Sequence, residues 1–165
     1  MALASFDAPC NLDPMNARIV GLHLHERHGE HPRGVAEVLG RVGGGIEGDS
    51  HAHREKRAVV IVDRSVHEAL GLQPGDLREQ LTIEGLPNVT TLAPGTELRA
   101  GGITLRVNGE AAPCMHIGEL VGVDDVAAFQ ASLAGRRGAE CTVIAVDGPA
   151  RIGDGVVVLP ARVGV

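Results

Sequence analysis

Cys114 lies in the run Ala111-Ala112-Pro113-Cys114-Met115-His116. Proline fixes its own φ and offers no N–H, so the thiol is expected on a stiffened loop. His116, two residues on, could accept the thiol proton or, as imidazolium, favour the thiolate that attacks electrophiles or binds metal. The same cysteine could instead be a small buried hydrophobe, a common fate of free thiols. Cys141, between Glu140 and Thr142 in an apolar run, reads as core, and Cys10 lies in an N-terminal stretch with no evident role.

Two further groups of residues could carry chemistry. In Asp49-Ser50-His51-Ala52-His53 an extended backbone would point both histidines to one face, a geometry able to hold a metal. That leaves open a zinc-dependent enzyme using His51, His53 and Cys114, with His116 as a further ligand. Basic residues form the other group: Arg54, Lys56, Arg57, Arg64, Arg78 and the pair Arg136-Arg137. Singly each reads as a solvated charge, but gathered by loops they would make a pocket for an anion. Lys56 is the only lysine among fifteen Lys and Arg residues, so a pyridoxal phosphate Schiff base would have to use it. Its setting between Glu55 and Arg57 looks exposed, which disfavours that cofactor.

These residues need elements to position them. Residues 18–25 alternate, with Val20, Leu22 and Leu24 on one face, as a half-buried strand does. A polar loop at 26–34 and a second strand at 35–42 follow. The continuous apolar run 58–62 suits a strand buried on both faces. Asp63 or Ser65 can cap a short helix that Gly71 stops. Strands are expected at 81–84, 103–107, 140–146 and 156–159, and a helix of about ten residues after Asp124 that Gly135 ends. Many short strands, Gly/Pro turns and two brief helices predict a mainly β domain, a barrel or folded sheet. Residues 1–16 read as a flexible tail and 17–165 as one domain, with no internal repeat or linker.

Composition bounds the function. The chain has 165 residues, enough for one domain with a real core, and that core must be aliphatic because Trp and Tyr are absent and Phe numbers two. A net charge of −6 and the lack of aromatic platforms argue against nucleic acid as a partner. No apolar run approaches the roughly 20 residues of a membrane span. Three irregularly spaced cysteines and no export signal predict reduced thiols and a cytoplasmic protein. Neither a dinucleotide fingerprint nor a P-loop is present, since Gly43-Gly44-Gly45 lacks the Lys-Ser/Thr of the latter.

Taken in order, the motifs resemble the MOSC domain, the C-terminal domain of molybdenum-cofactor sulfurases. The markers are Gly45-Ile46-Glu47-Gly48-Asp49-Ser50-His51, the strand before Arg64, and Pro74-Gly75-Asp76-Leu77-Arg78-Glu79-Gln80-Leu81-Thr82. Then come Glu84-Gly85-Leu86, Leu92-Ala93-Pro94-Gly95-Thr96, Pro113-Cys114, Gly135-Arg136-Arg137-Gly138 and Ile152-Gly153-Asp154. The resemblance implies a pyruvate-kinase-type β-barrel and a molybdenum cofactor (molybdopterin) to which Cys114 supplies a thiolate, or on which it carries sulfur. It implies cofactor contacts from His51, Arg57, Arg64, Arg78, Gln80 and Arg137, with Gln80 standing where the family's Arg-Glu-Asn segment has Asn. Standalone bacterial members resemble proteins that reduce N-hydroxylated small molecules. Such a chain would draw electrons from a separate donor protein, or act as a non-catalytic module with a cofactor-delivery partner.

Overall fold

The computed structural model describes residues 17–27 and 29–161. The tail expected at 1–16, with Cys10, lies outside them. Ten strands and three helices follow in the order β1 (Arg18–Leu24), β2 (Arg33–Gly34), β3 (Glu37–Val38), β4 (Val59–Asp63), α1 (Arg64–Leu70), β5 (Leu81–Glu84), β6 (Glu97–Ala100), β7 (Ile103–Glu110), α2 (Met115–Val121), α3 (Val126–Ser132), β8 (Ala139–Val146), β9 (Ala150–Arg151) and β10 (Val156–Val158). Eight strands share one sheet in the order β10-β6-β7-β8-β4-β5-β1-β2, and β3 pairs with β9 apart from it. Every pairing is antiparallel except β4 with β5, whose connection carries α1 across the sheet.

The mainly β expectation holds, but the ladder does not close into a barrel: β10 and β2 stand at its two ends. Near those ends β1 meets the residue before β10 at one isolated bridge, Arg18 to Gly155. Backbone bonds from Ile19 N–H to Asp154 O (2.9 Å) and from Val156 N–H to Ala17 O (2.9 Å) flank that bridge. A strand expected over 35–42 shrinks to Glu37–Val38, because residues 41–45 turn back in a glycine-rich loop. Among the described residues there are three α-helices where two helices were expected, α2 being the addition, and α3 is seven residues long with Asp125, not Asp124, as its cap.

β4 shows why an unbroken apolar strand belongs at the centre. All five of its residues are buried. Val59 and Ile61 face the larger cluster with Ile19, Leu81, Ile83, Leu98, Leu105 and Val143. Val60 and Val62 face a smaller one with Leu77, Ala111, Ile117 and Leu133, against which Cys114 and Phe129 pack. Each fully buried aliphatic side chain contributes about 1.5–3 kcal/mol of hydrophobic stabilisation. At the strand's end Asp63 performs two tasks: Oδ1 accepts from Ser65 N–H (2.9 Å) to cap α1, and Oδ2 accepts from Leu86 N–H (2.7 Å).

Candidate functional site

Val60 of the smaller cluster and Cys114 packed against it line a cavity of about 510 Å³. Four segments build it. The turn before β4 brings His51, Arg54 and Arg57, and the turn before β5 brings Arg78 and Gln80. The chain leaving β7 brings residues 112–116 with Cys114, and the start of β8 with the residues just before it brings Glu140 and Arg137. Val60 and Glu140 face one another in the β4–β8 register, and Gln130 of α3 closes one side.

Of the residues singled out from the sequence, Cys114, His51, Arg57, Arg78, Gln80 and Arg137 all line this cavity. Arg64 does not: as the first residue of α1 it turns outward and pairs with Glu84 at 3.6 Å. His53 and Lys56 are exposed and outside the lining. The extended pair expected for His51 and His53 is absent, because residues 50–53 form a turn. Among the described residues no three His, Cys, Asp or Glu side chains gather as a metal-holding group, so the zinc alternative loses its geometry. Cys141 is core, as expected, fully buried with its thiol pKa pushed up by desolvation.

Two arginines decide the electrostatics. Arg78 is 9% exposed, and its Nη1 is buried with no hydrogen-bond partner. Arg137 Nη1 donates to Ala112 O, fastening the loop before Cys114, while its Nε is buried and unpartnered. Burial pulls the Arg137 pKa down, opposed in part by Cys114 and Glu140, which line the same cavity. Arginine stays charged at any physiological pH, so both remain cations. Arg57 pairs with Glu140 at 3.5 Å. The lining therefore holds four arginines against one carboxylate, a basic pocket in an acidic protein.

His51 and Gln80 are fixed by Asp49, a buried carboxylate that the motif contained but that was not expected in a site. Its Oδ1 accepts from His51 N–H (2.8 Å) and lies 2.9 Å from His51 Nδ1; its Oδ2 accepts from His25 N–H (2.8 Å) and Gln80 Nε2–H (3.3 Å). Burial pushes the Asp49 pKa up, but these donors outweigh it and hold the carboxyl below its ordinary range. A proton kept on Nδ1 leaves Nε2 of His51 as acceptor or ligand. Gln80 also accepts from Val60 N–H through Oε1 (2.6 Å), so its amide ties β4 to the turn at 78–80. Glu140 was unforeseen: a charged residue within a strand gains its place only through register.

The chain matches the MOSC domain family model over residues 47–157. Its backbone is similar to the YuaD protein from Bacillus subtilis, with a TM-score of 0.74 and 24% identity over 85% of this chain and 93% of that one. YiiM from Escherichia coli aligns with a TM-score of 0.65 at 18% identity, over 90% of this chain and 72% of that one. YiiM from Geobacillus stearothermophilus gives 0.67 at 18%, over 90% and 77%. At these identities the likeness shows a shared fold. No curated protein matches the chain significantly.

Proposed function

The chain belongs to the MOSC domain family, which is associated with molybdenum-cofactor binding, and from that premise we propose that its basic cavity holds this cofactor. One observation carries the reading: two buried arginine donors without partners, Arg78 Nη1 and Arg137 Nε, share a cavity with a thiol. A buried N–H left unpaired costs about 1–3 kcal/mol, and a phosphate oxygen would satisfy each with a charge-assisted bond. The donor set fits a phosphate-bearing pterin with a soft metal. Arg78 and Arg137 would hold the phosphate, Cys114 would offer its sulfur as thiolate, and His51 would present Nε2 to the cofactor or to substrate. Soft thiolate donors suit such a metal.

When bound, the group would supply two-electron redox chemistry, with electrons from a separate donor protein, for reduction of small N-hydroxylated substrates. Around it the chain's own residues orient and exclude. Pro113 and the Arg137–Ala112 bond keep the sulfur from wandering. Val60, backed by Leu77, Ile117 and Leu133 of its cluster, gives the cavity a dry apolar side, beside which charge interactions strengthen. Glu140 Oε2 pairs with Arg57 and holds that guanidinium at the cavity.

The test is metal and pterin content after expression in a molybdenum-replete host. Wild type is expected to carry about one molybdenum and one pterin per chain, and Cys114→Ser to keep the pterin while losing at least tenfold of the metal. Wild type with neither refutes the reading. A Cys114→Ser protein with full metal content would restrict Cys114 to carrying sulfur.

A further inference from the structure

Between Arg78 and Gln80 stands Glu79, which reaches neither the cavity lining nor solvent: its side chain is 0% exposed. The carboxylate gathers three hydrogen-bond donors and the imidazole of His67. Oε2 accepts from Gly75 N–H (2.9 Å) and from the Thr82 hydroxyl (2.6 Å), and lies 2.6 Å from His67 Nε2 of α1. Oε1 accepts from Leu77 N–H (3.2 Å). Burial pushes this carboxyl's pKa up, but His67 beside it and the bonds from Thr82 and Gly75 outweigh that and hold it below the usual range. The turn over residues 74–80 is thereby stitched from the inside to α1 and to β5.

That turn holds a conformation its sequence would not choose. Arg78 has φ of 59°, one of two non-glycine residues with positive φ among the described residues. The left-handed region costs an ordinary residue about 1–2 kcal/mol and persists only where surroundings impose it. The product is a strained backbone carrying a cation that lines the cavity and whose buried Nη1 has no partner in the protein.

We propose that Glu79 is a positioning residue, whose carboxylate imposes the strained turn that aims the Arg78 guanidinium at a phosphate-class anion. Glu79 touches no anion itself and acts through Arg78. The inference rests on the cavity being the anion site argued above and deepens it, by naming what builds its donor.

The test is calorimetric titration with inorganic phosphate of the full chain, made in a host unable to synthesise molybdopterin. Wild type, Arg78→Ala, Glu79→Gln and Thr82→Val are compared, with thermal melts and alkylation mapped to Cys114 as controls. Wild type should bind phosphate and Arg78→Ala should lose it. Glu79→Gln, which turns an amide N–H toward N–H donors, should bind at least tenfold more weakly, and Thr82→Val about threefold. Cys114 is carried by a different segment, the chain leaving β7, so its alkylation rate should stay within twofold. Weaker phosphate with unchanged Cys114 reactivity is what general loosening of the fold would not produce. A folded Glu79→Gln with wild-type affinity overturns the proposal. If that variant fails to fold, unchanged affinity in Thr82→Val overturns it instead. Wild type that binds phosphate yet never carries cofactor refutes the cofactor reading and leaves Glu79 its role. Wild type that binds no phosphate overturns the positioning role.

Discussion

His23 on β1 and His25 just beyond it are both held below the ordinary histidine pKa, chiefly by burial, with Glu79 pulling His23 and Asp49 pulling His25 the other way. Each has an Nδ1 buried without a hydrogen-bond partner, so a proton added there would bring charge with nothing to meet it. The sign follows from linkage. The unfolded chain takes up these protons as pH falls through about 6.5, before the folded chain can, so stability is full above that value and declines below it. Asp49 and Glu79 carry lowered pKa values, so their contribution is full above the free carboxylate range and is lost only at more acid pH. Urea midpoints should therefore fall in two stages on acidification, the first between about pH 7 and pH 5. His25→Gln should make that first stage shallower, leaving the part that His23 contributes. An unchanged slope in the variant would show that burial of His25 does not couple to folding.

At the scale of elements, two glycines with positive φ separate local strain from tertiary clash. Gly71 closes α1 at φ 69°, and a Cβ added there would meet nothing within 4 Å, so Gly71→Ala should cost only the left-handed penalty, about 1–2 kcal/mol. Gly138, at φ 93°, enters β8 so close to β4 that a Cβ would lie 2.0 Å from Ile61 O. Gly138→Ala must carry the same strain and also displace a central strand, so about 3 kcal/mol or more is expected, read from urea unfolding. Equal costs at the two sites would mean that β4 and β8 can part without loss. The same contrast explains what could be read in the chain. β1, β4 and α1 announce themselves through alternation, a continuous apolar run and an Asp cap, all local signals. α2 does not. Met115-His116-Ile117-Gly118-Glu119-Leu120-Val121 has a glycine at its centre and Cys114 makes no side-chain cap bond. It is helical because Ile117 is buried in the smaller cluster and Gly118 lets Val123 and Phe129 close to within 3.1 and 3.4 Å of the missing Cβ. The site divides likewise. Six of the seven residues assigned to it by motif converge on one cavity, whereas Glu140 arrives by strand register and Arg64 is carried outward by the helix it begins.

Over the whole molecule, the question is how a sheet that does not close keeps its two ends together. The interior ladder is long: β7 and β8 pair from Ile103 with Val146 to Glu110 with Ala139, and β8 continues onto β4. The seam is short, one bridge at Arg18 and Gly155 with the flanking bonds of Ile19, Gly153 and Val156. Local opening follows the number of buried contacts and bonds that must break, so opening the seam costs only part of the global free energy. The cavity lies among β4, β5, β7 and β8, on the interior side of the sheet order and away from β10. Site geometry should accordingly survive seam opening. Native-state hydrogen exchange tests this directly. Amides of Val60, Ile61, Leu105 and Val143 should exchange only through global unfolding, and those of Ile19, Gly153 and Val156 at least tenfold faster. Asp154→Ala, which removes the side-chain bond to Arg151 N–H (2.8 Å), should speed the seam amides further and leave the central ones unchanged. Seam and centre exchanging at one common rate would instead mean that the molecule behaves as a closed barrel, with the single bridge as strong as a full ladder.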